Sequence, residues 1–464
     1  MLKSSLARGI FTLAIGVVIW FCPMPDGLDP KAWHIFAIAV ATIVGFILTP
    51  LPMGAMAIAG LTVAALTKTL SIGEALSGFG STAIWLIVCA FLFARGFSNT
   101  GLGRRLAFLI MRAIGSSSLK LGYALAITDL ILSPATPSSA ARAGGILFPI
   151  VRGLCTAFDS EPGPSARKIG AYLMQLVYQI EGVVCAMFMT SMAGNPLMVE
   201  LAAKTLNIEL SWGQWLLASC LPGMVAMIAV PYILYLFYPP ELKKTPEAPL
   251  YAAAELEKMG PMSLSEKLLS LIFICALILW CTSLNATLVA FMAVVAMLAT
   301  RVLEWKEMTS ETGAWDTLIW MGGLITLADM MSRKGFIPWF SKMIAASMSG
   351  IDWTYALVAL ILIYMYSHYA FASLTAHIGA MYAAFIAVAA AAGTPPYLAA
   401  LAMAFTANIC LSLTTYSGSP GPIYFGAGYV PQSTWWKLGF YFSIVNIVIW
   451  VGLGAVWWKV VGMW

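Results

Sequence analysis

The sequence predicts an all-α polytopic membrane protein, and three observations carry that prediction. Apolar runs long enough to cross about 30 Å of hydrocarbon follow one another along nearly the whole chain. Of its 464 residues 61% are hydrophobic and only 10% charged, whereas a soluble domain carries about a quarter charged residues. Two of the runs are interrupted by short passages of small and polar residues that match each other, the mark of an internal duplication with its site at the repeat interface.

The first run, Gly9 to Phe21 in a helix expected near 8–22, follows only Lys3 and Arg8 and looks like a signal peptide. Cys22-Pro23-Met24-Pro25 is a poor small-residue cleavage site, so a retained helix is expected. Further spans are expected near 31–49, 53–69, 83–99, 168–194 and 212–238, then near 267–282, 285–302, 313–332, 395–416 and 434–458. Re-entrant hairpins are expected at about 120–152 and about 352–392, which makes about eleven transmembrane helices plus two hairpins. The chain then divides into an extra N-terminal helix (1–30), a first repeat (31–238), a cytoplasmic linker (239–266) and a second repeat (267–464). Each repeat crosses an odd number of times, so the second is inverted relative to the first. Just before each hairpin, Gly103 to Gly115 and Gly335 to Ser347 mix basic and apolar residues as interface-lying helices do.

The net charge of +5 is small and dispersed, so no nucleic-acid face is expected. With the N-terminus cytoplasmic, that side collects Lys3, Arg8, Arg104, Arg105, Arg112, Lys120, Arg167, Lys243 and Lys244, in line with the positive-inside rule. No plastid transit peptide is visible, which points to a bacterial inner membrane. The eight cysteines lie singly, with no CxxC and no histidine at ligand spacing, and read as packing residues rather than a metal site. Walker A, dinucleotide, HExxH and Ser/His/Asp signatures are absent, so neither a cofactor nor enzyme chemistry is expected.

The passage from Ser133 to Gly145 carries two prolines within four residues, Pro134 and Pro137, which end any helix arriving from Leu121 to Leu132. It recurs 235 positions later, with Ser138 matching Ser373, Ala141 matching Ala376, Arg142 matching His377 and Gly144 matching Gly379. A second echo sets Thr190 to Pro196 against Thr414 to Pro420, both breaking apolar helices. An arginine at membrane depth costs several kcal/mol unless it meets an anion, so Arg142 is a candidate substrate partner, against the alternative of a salt-bridged structural arginine. His377 is its symmetric counterpart. Ser138, Ser139, Ser373 and Thr375 cap helices whose N-terminal N–H groups attract carboxylate, and Asn195, Ser419 and Pro420 start new half-helices from the breaks. Glu181, Asp129 and Asp329 are intramembrane carboxylates for which structural pairing is expected.

These residues together resemble the divalent anion/sodium symporter family, and within it the bacterial citrate/succinate and tartrate/succinate antiporters and the plastid 2-oxoglutarate/malate translocators. The resemblance covers nearly the whole chain and rests on Thr136-Pro137-Ser138 through Gly144-Gly145, on Phe371 to His377, and on Gly421 to Pro431 with Trp435 to Phe440. It implies a homodimer whose scaffold helices flank a moving transport part, working as an elevator in contact with membrane lipid. The family's repeated Ser-Asn-Thr motif falls on Ser138-Ser139-Ala140 and Ser373-Leu374-Thr375, so both amides and one threonine hydroxyl are missing. Sodium-independent exchange of a small carboxylate of the succinate, malate, 2-oxoglutarate, tartrate or citrate class is therefore expected, with a sodium-coupled symporter as the alternative. An anion channel would need a polar stripe along a helix, and an intramembrane enzyme built on Glu181, His368 and His377 would need an activated nucleophile; the sequence offers neither.

Overall fold

The structure, a computed structural model, describes residues 4–347 and 352–464, leaving aside the side chains of 341 and 344–347. It is built of helices, with no strand among the described residues. Every one of the expected spans holds a helix: Ser5–Phe21, Pro30–Leu48, Met53–Leu66, Thr82–Thr100, Gly170–Met187 and Trp212–Phe237 in the first half. Leu264–Trp280, Ala286–Ala299, Thr312–Arg333 and Pro396–Ile409 follow, and a helix running from Gln432 to Val460 closes the chain. By length and composition five described helices could cross a bilayer alone, fewer than the runs suggested. Four of the runs, at Ser5–Phe21, Met53–Leu66, Ala286–Ala299 and Pro396–Ser412, form apolar helices of only 10–17 residues, and one more falls short for another reason. Gly170–Met187 is buried along its whole length, so it can carry Gln175, Gln179 and Glu181 and need not look apolar to lipid.

The first hairpin turns at Pro134 and Pro137, the second without a proline, and their tips are built alike. In the first, Ser118–Leu132 ends in the tight turn Ser133–Ala135, and the chain re-enters helix at Ala140–Leu147, continuing as Phe148–Ala157. That return leg opens with a widened π-helical turn that ends beside Pro149, which has no N–H to give. In the second, Trp353–Ser367, the turn His368–Ala370 and Leu374–Ala391 repeat the pattern. Ser138 Oγ accepts the Ala141 N–H at 3.2 Å and Ser373 Oγ accepts that of Ala376 at 3.3 Å. Thr136 N–H donates to Ser133 O and Phe371 N–H to His368 O, again 235 residues apart. The duplication read from the sequence thus extends to individual hydrogen bonds.

The helix breaks lie at residues 188–193, before Gly194–Leu206, and at 413–420, after the turn Cys410–Ser412 and before Gly421–Gly426. The linker expected at 239–266 has secondary structure of its own. It folds as the helix Glu247–Met259 and packs on Leu102–Ile114, where Arg105 Nε donates to Glu266 Oε1 at 2.6 Å and Arg105 Nη1 to Gly260 O at 2.8 Å. Glu255 and Glu266 serve this packing through Arg104 and Arg105, while Glu241, Lys243, Lys244, Glu247, Glu257 and Lys258 are exposed. Elsewhere the Lys334 ammonium, with the Ser71 cap, holds the half-buried Glu74 carboxyl down at about 2.

Candidate functional site

The two hairpin tips and the two breaks meet in one cavity of about 310 Å³, within the size range of small-molecule sites. The first hairpin contributes Pro137, Ser138 and Ser139, the second Ala372, Ser373, Leu374 and Thr375. Met192 and Ala193 come from the first break, and Leu411, Gly418 and Ser419 border or belong to the second. The opposite wall comes from outside the hairpins: Met53, Phe91, Thr317 and Trp320, residues that the sequence reading missed. Only Thr317 and Trp320, three apart and so on one helix face, left a trace in the sequence that could have found them.

Among the described residues, no charged side chain lines this cavity. What it offers an anion is hydroxyl groups and helix ends, since the helices at Ala140, Leu374 and Gly194 start at or next to the lining residues Ser139, Ser373, Leu374 and Ala193 with the positive ends of their dipoles. Ser139 Oγ and Ser419 Oγ lie 3.1 Å apart across the repeat boundary. A carboxylate between the tips would meet hydroxyls from both halves of the chain.

Four of the residues expected to bind substrate lie elsewhere. Arg142 sits one turn past the Ser138 cap with its side chain turned behind the hairpin tip, fully buried. Its Nε donates to Asp129 Oδ1 and its Nη2 to Glu181 Oε1, both at 2.5 Å, and its Nη1 donates to the carbonyls of Thr136 at 2.6 Å and Ser191 at 3.0 Å. The guanidinium is fully employed holding the tip to the first broken helix, so the structural alternative describes its geometry here. His377 is likewise buried, its Nε2 3.0 Å from Ser367 Oγ and its ring against Tyr364. Asn195 gives its amide N–H groups to Cys185 O and Phe188 O, at 2.8 and 2.9 Å, while its oxygen accepts from Asn408 at 2.8 Å. Pro420 caps the helix Gly421–Gly426 without reaching the cavity. Asp329 pairs with Arg333 at 2.9 Å and Lys204 at 3.4 Å, as expected of a structural carboxylate.

A larger cavity of about 810 Å³ lies between the first three helices. Leu6, Ile10, Leu13, Val17, Trp20 and Leu51 set its character, and such an apolar wall has little to offer a doubly charged ion.

Comparison with known proteins agrees with this architecture. At 49% identity over 460 residues, the chain matches the "putative malate transporter YflS" of Bacillus subtilis, covering 98% of this chain and 96% of that protein. It is 45% identical to "dicarboxylate transporter 1, chloroplastic" of Arabidopsis thaliana, over 98% of this chain and 83% of the other. Among solved structures, the YdaH transporter of Alcanivorax borkumensis superposes with a TM-score of 0.59 at 14% identity, over 86% of this chain and 89% of its own. MtrF of Neisseria gonorrhoeae gives 0.57 at 12% identity, over 98% and 94%; at such identities these two speak for the fold alone. The model of the sodium:sulfate symporter transmembrane region matches residues 3–464. With paired hairpins, paired helix breaks and a cavity between them already in view, that match extends the same conclusion to the full span of the chain, which belongs to the sodium:sulfate symporter family and is a membrane transporter, not an enzyme.

Proposed function

We propose that the protein carries di- or tricarboxylates of the succinate, malate, 2-oxoglutarate, tartrate or citrate class across the membrane by exchange. The observation that carries this reading is the uncharged cavity in which Ser138, Ser139, Ser373, Thr375 and Ser419 gather around converging helix N-termini from both repeats. The names of the malate and dicarboxylate transporters it is similar to support the same substrate class. Labelled succinate counterflow into reconstituted vesicles, competed by a panel of unlabelled carboxylates, tests it. Failure of every di- and tricarboxylate to compete would refute it.

Within this reading the hydroxyls bind the carboxylates directly. A hydrogen bond to a charged group contributes about 1.5–3 kcal/mol, so Thr375→Val, which keeps the shape and removes the hydroxyl, should raise the half-saturating succinate concentration about tenfold or more. Counterflow at graded succinate concentrations measures it, and an unchanged value would take Thr375 out of the site.

Exchange is proposed to be independent of sodium because the cavity wall holds no carboxylate and no side-chain amide. A bare arginine charge is not the reason, since Arg142 is already paired with Asp129 and Glu181. Instead an empty cavity would have to cross with its hydroxyls and helix ends stripped of partners, a desolvation that a bound carboxylate removes. Vesicles preloaded with malate should therefore take up succinate at the same rate with or without sodium. Robust accumulation into buffer-loaded vesicles under a sodium gradient would return the protein to symport.

Movement is proposed to follow the division of the cavity wall. Hairpins and breaks are tied to one another by Ala193 N–H to Pro137 O at 3.1 Å, Tyr424 Oη to Ala143 O at 2.7 Å and the 2.9 Å contact of His368 Nε2 with Ser417 O. They face Met53, Phe91 and Trp320 across a largely apolar boundary suited to sliding, as an elevator requires. A homodimer joined through the scaffold helices, embedded in a bacterial inner membrane with a cytoplasmic N-terminus, completes the proposal.

A further inference from the structure

Behind the tip of the second hairpin, His368, His377 and Cys410 come together, 0% exposed each. A ring nitrogen of each histidine and the Cys410 sulfur all lie within 4.8 Å of one another. The hydrogen bonds around them set the tautomer of His368 and favour the same one for His377. His368 Nε2 lies 2.9 Å from the Ser417 carbonyl oxygen, which can only accept, so this nitrogen carries the proton. His377 Nε2 lies 3.0 Å from Ser367 Oγ, an oxygen that is also 2.8 Å from Tyr364 O and 3.3 Å from Met381 Sδ; with the Ser367 hydrogen on the carbonyl, the stronger acceptor, Nε2 donates there as well. Each ring is left with a bare Nδ1 lone pair, and neither Nδ1 has a partner. Two buried imidazoles clustered with a thiol, each with an unpartnered Nδ1 and with its Nε2 on a carbonyl or hydroxyl oxygen, is the kind of arrangement that metal-ligating histidines show.

We infer that His368, His377 and Cys410 form a binding site for a single copper(I) ion, with the Met365 thioether as a weak fourth ligand. Met365 Sδ is 3.4 Å from Cys410 Sγ, so the donor set is two imidazoles, one thiolate and one thioether, which favours a soft ion. Charge decides between the candidates. Cu(I) replaces the thiol proton, which leaves for solvent, and the resulting Cu(I)–thiolate unit is neutral, as a sealed apolar pocket requires. Zn(II) with one thiolate would bury a net positive charge and would want a stronger fourth ligand than a thioether. Closing the three donors around one ion needs about 1 Å of movement, given metal–ligand bonds of about 2.0–2.3 Å. Bound copper would tie the second hairpin to the second broken helix.

The test uses the full-length protein carrying Cys22→Ser, Cys275→Ser and Cys281→Ser to remove the exposed thiols. Copper is supplied both during expression and to the purified protein under anaerobic reducing conditions, so that burial does not gate loading. Titration against a chromophoric Cu(I) chelator should show one copper per chain, and X-ray absorption should show nitrogen and sulfur neighbours. Thermal unfolding should shift upward with copper. In the same background Cys410→Ser and, separately, His368→Gln should each lose at least 100-fold in affinity, while Cys155→Ser, a buried thiol elsewhere, keeps it. Each variant's copper-free melting midpoint confirms that it is folded. No retained copper, or copper retained equally by Cys410→Ser and His368→Gln, overturns the site.

Discussion

Arg142→Ala is expected to cost the protein its stability, not merely its affinity for substrate. Removing the guanidinium leaves Asp129 and Glu181, both buried, without the cation that each now meets at 2.5 Å. Breaking a buried pair in this way typically costs about 3–5 kcal/mol, a large part of the stability of an ordinary fold. The carbonyls of Thr136 and Ser191 lose their donor at the same time, so the hairpin tip and the first break come apart together. Arg142→Lys should be intermediate, because one ammonium cannot serve two carboxylates and two carbonyls in the fixed directions that the guanidinium fork supplies. Thermal unfolding in detergent, alongside the amount of monodisperse protein recovered, measures the effect. Should Arg142→Ala prove as stable as the parent and lose only dicarboxylate binding, the arginine must face the substrate at some other stage of the transport cycle.

Gly439→Ala is expected to reduce transport at least tenfold while leaving the protein in the membrane. Gly439 lies on the last helix where it presses on the second break, and a Cβ there would stand 2.3 Å from the Leu413 carbonyl oxygen and 2.7 Å from that of Ser412. These are backbone atoms, so no rotamer change relieves the contact. Overpacking of this kind costs about 1–3 kcal/mol, which a protein of this size survives, but relief requires the break to shift. Leu411, Gly418 and Ser419 would move with it, and they border the cavity. The exchange rate per folded protein in vesicles is the measurement, and a rate equal to the parent's would mean that the break tolerates displacement.

How far the sequence revealed the site is clearest at these positions. The pairing of Ser138 with Ser373 and of Arg142 with His377 was legible because two copies of a rare pattern stood 235 residues apart, and the hydrogen bonds repeat with the same offset. The direction of the two larger side chains was not legible. A residue one turn beyond a cap can point toward the cavity or behind the tip, and the sequence gives its place along the helix but not the packing that decides between the two. For Arg142 a signal did exist: Asp129 and Glu181 are carboxylates in the same apolar surroundings, and charge balance alone favours a triad. His368, His377 and Cys410 left none, since metal-ligand spacing was sought locally and Cys410 lies 33 residues beyond His377. The apolar wall at Met53 and Phe91 was unreadable for the opposite reason, because in a membrane chain such residues occur in every helix.

The ties that cross the repeat boundary have a consequence for how the protein is made. Tyr178 Oη donates to Leu411 O and Thr414 O, and Asn195 Oδ1 accepts from Asn408, contacts spanning 213 to 236 residues. The ribosome finishes the first half well before any of these partners exists, so Tyr178 and Asn195 enter the bilayer with polar atoms unsatisfied. Until the second half has inserted, the first is a folding intermediate with exposed polar seams. A chain truncated after residue 238 should therefore be recognised and destroyed by membrane proteases, and co-expression of residues 239–464 should rescue it. Duplication gave this transporter its paired tips, yet it also made each half depend on its twin for survival.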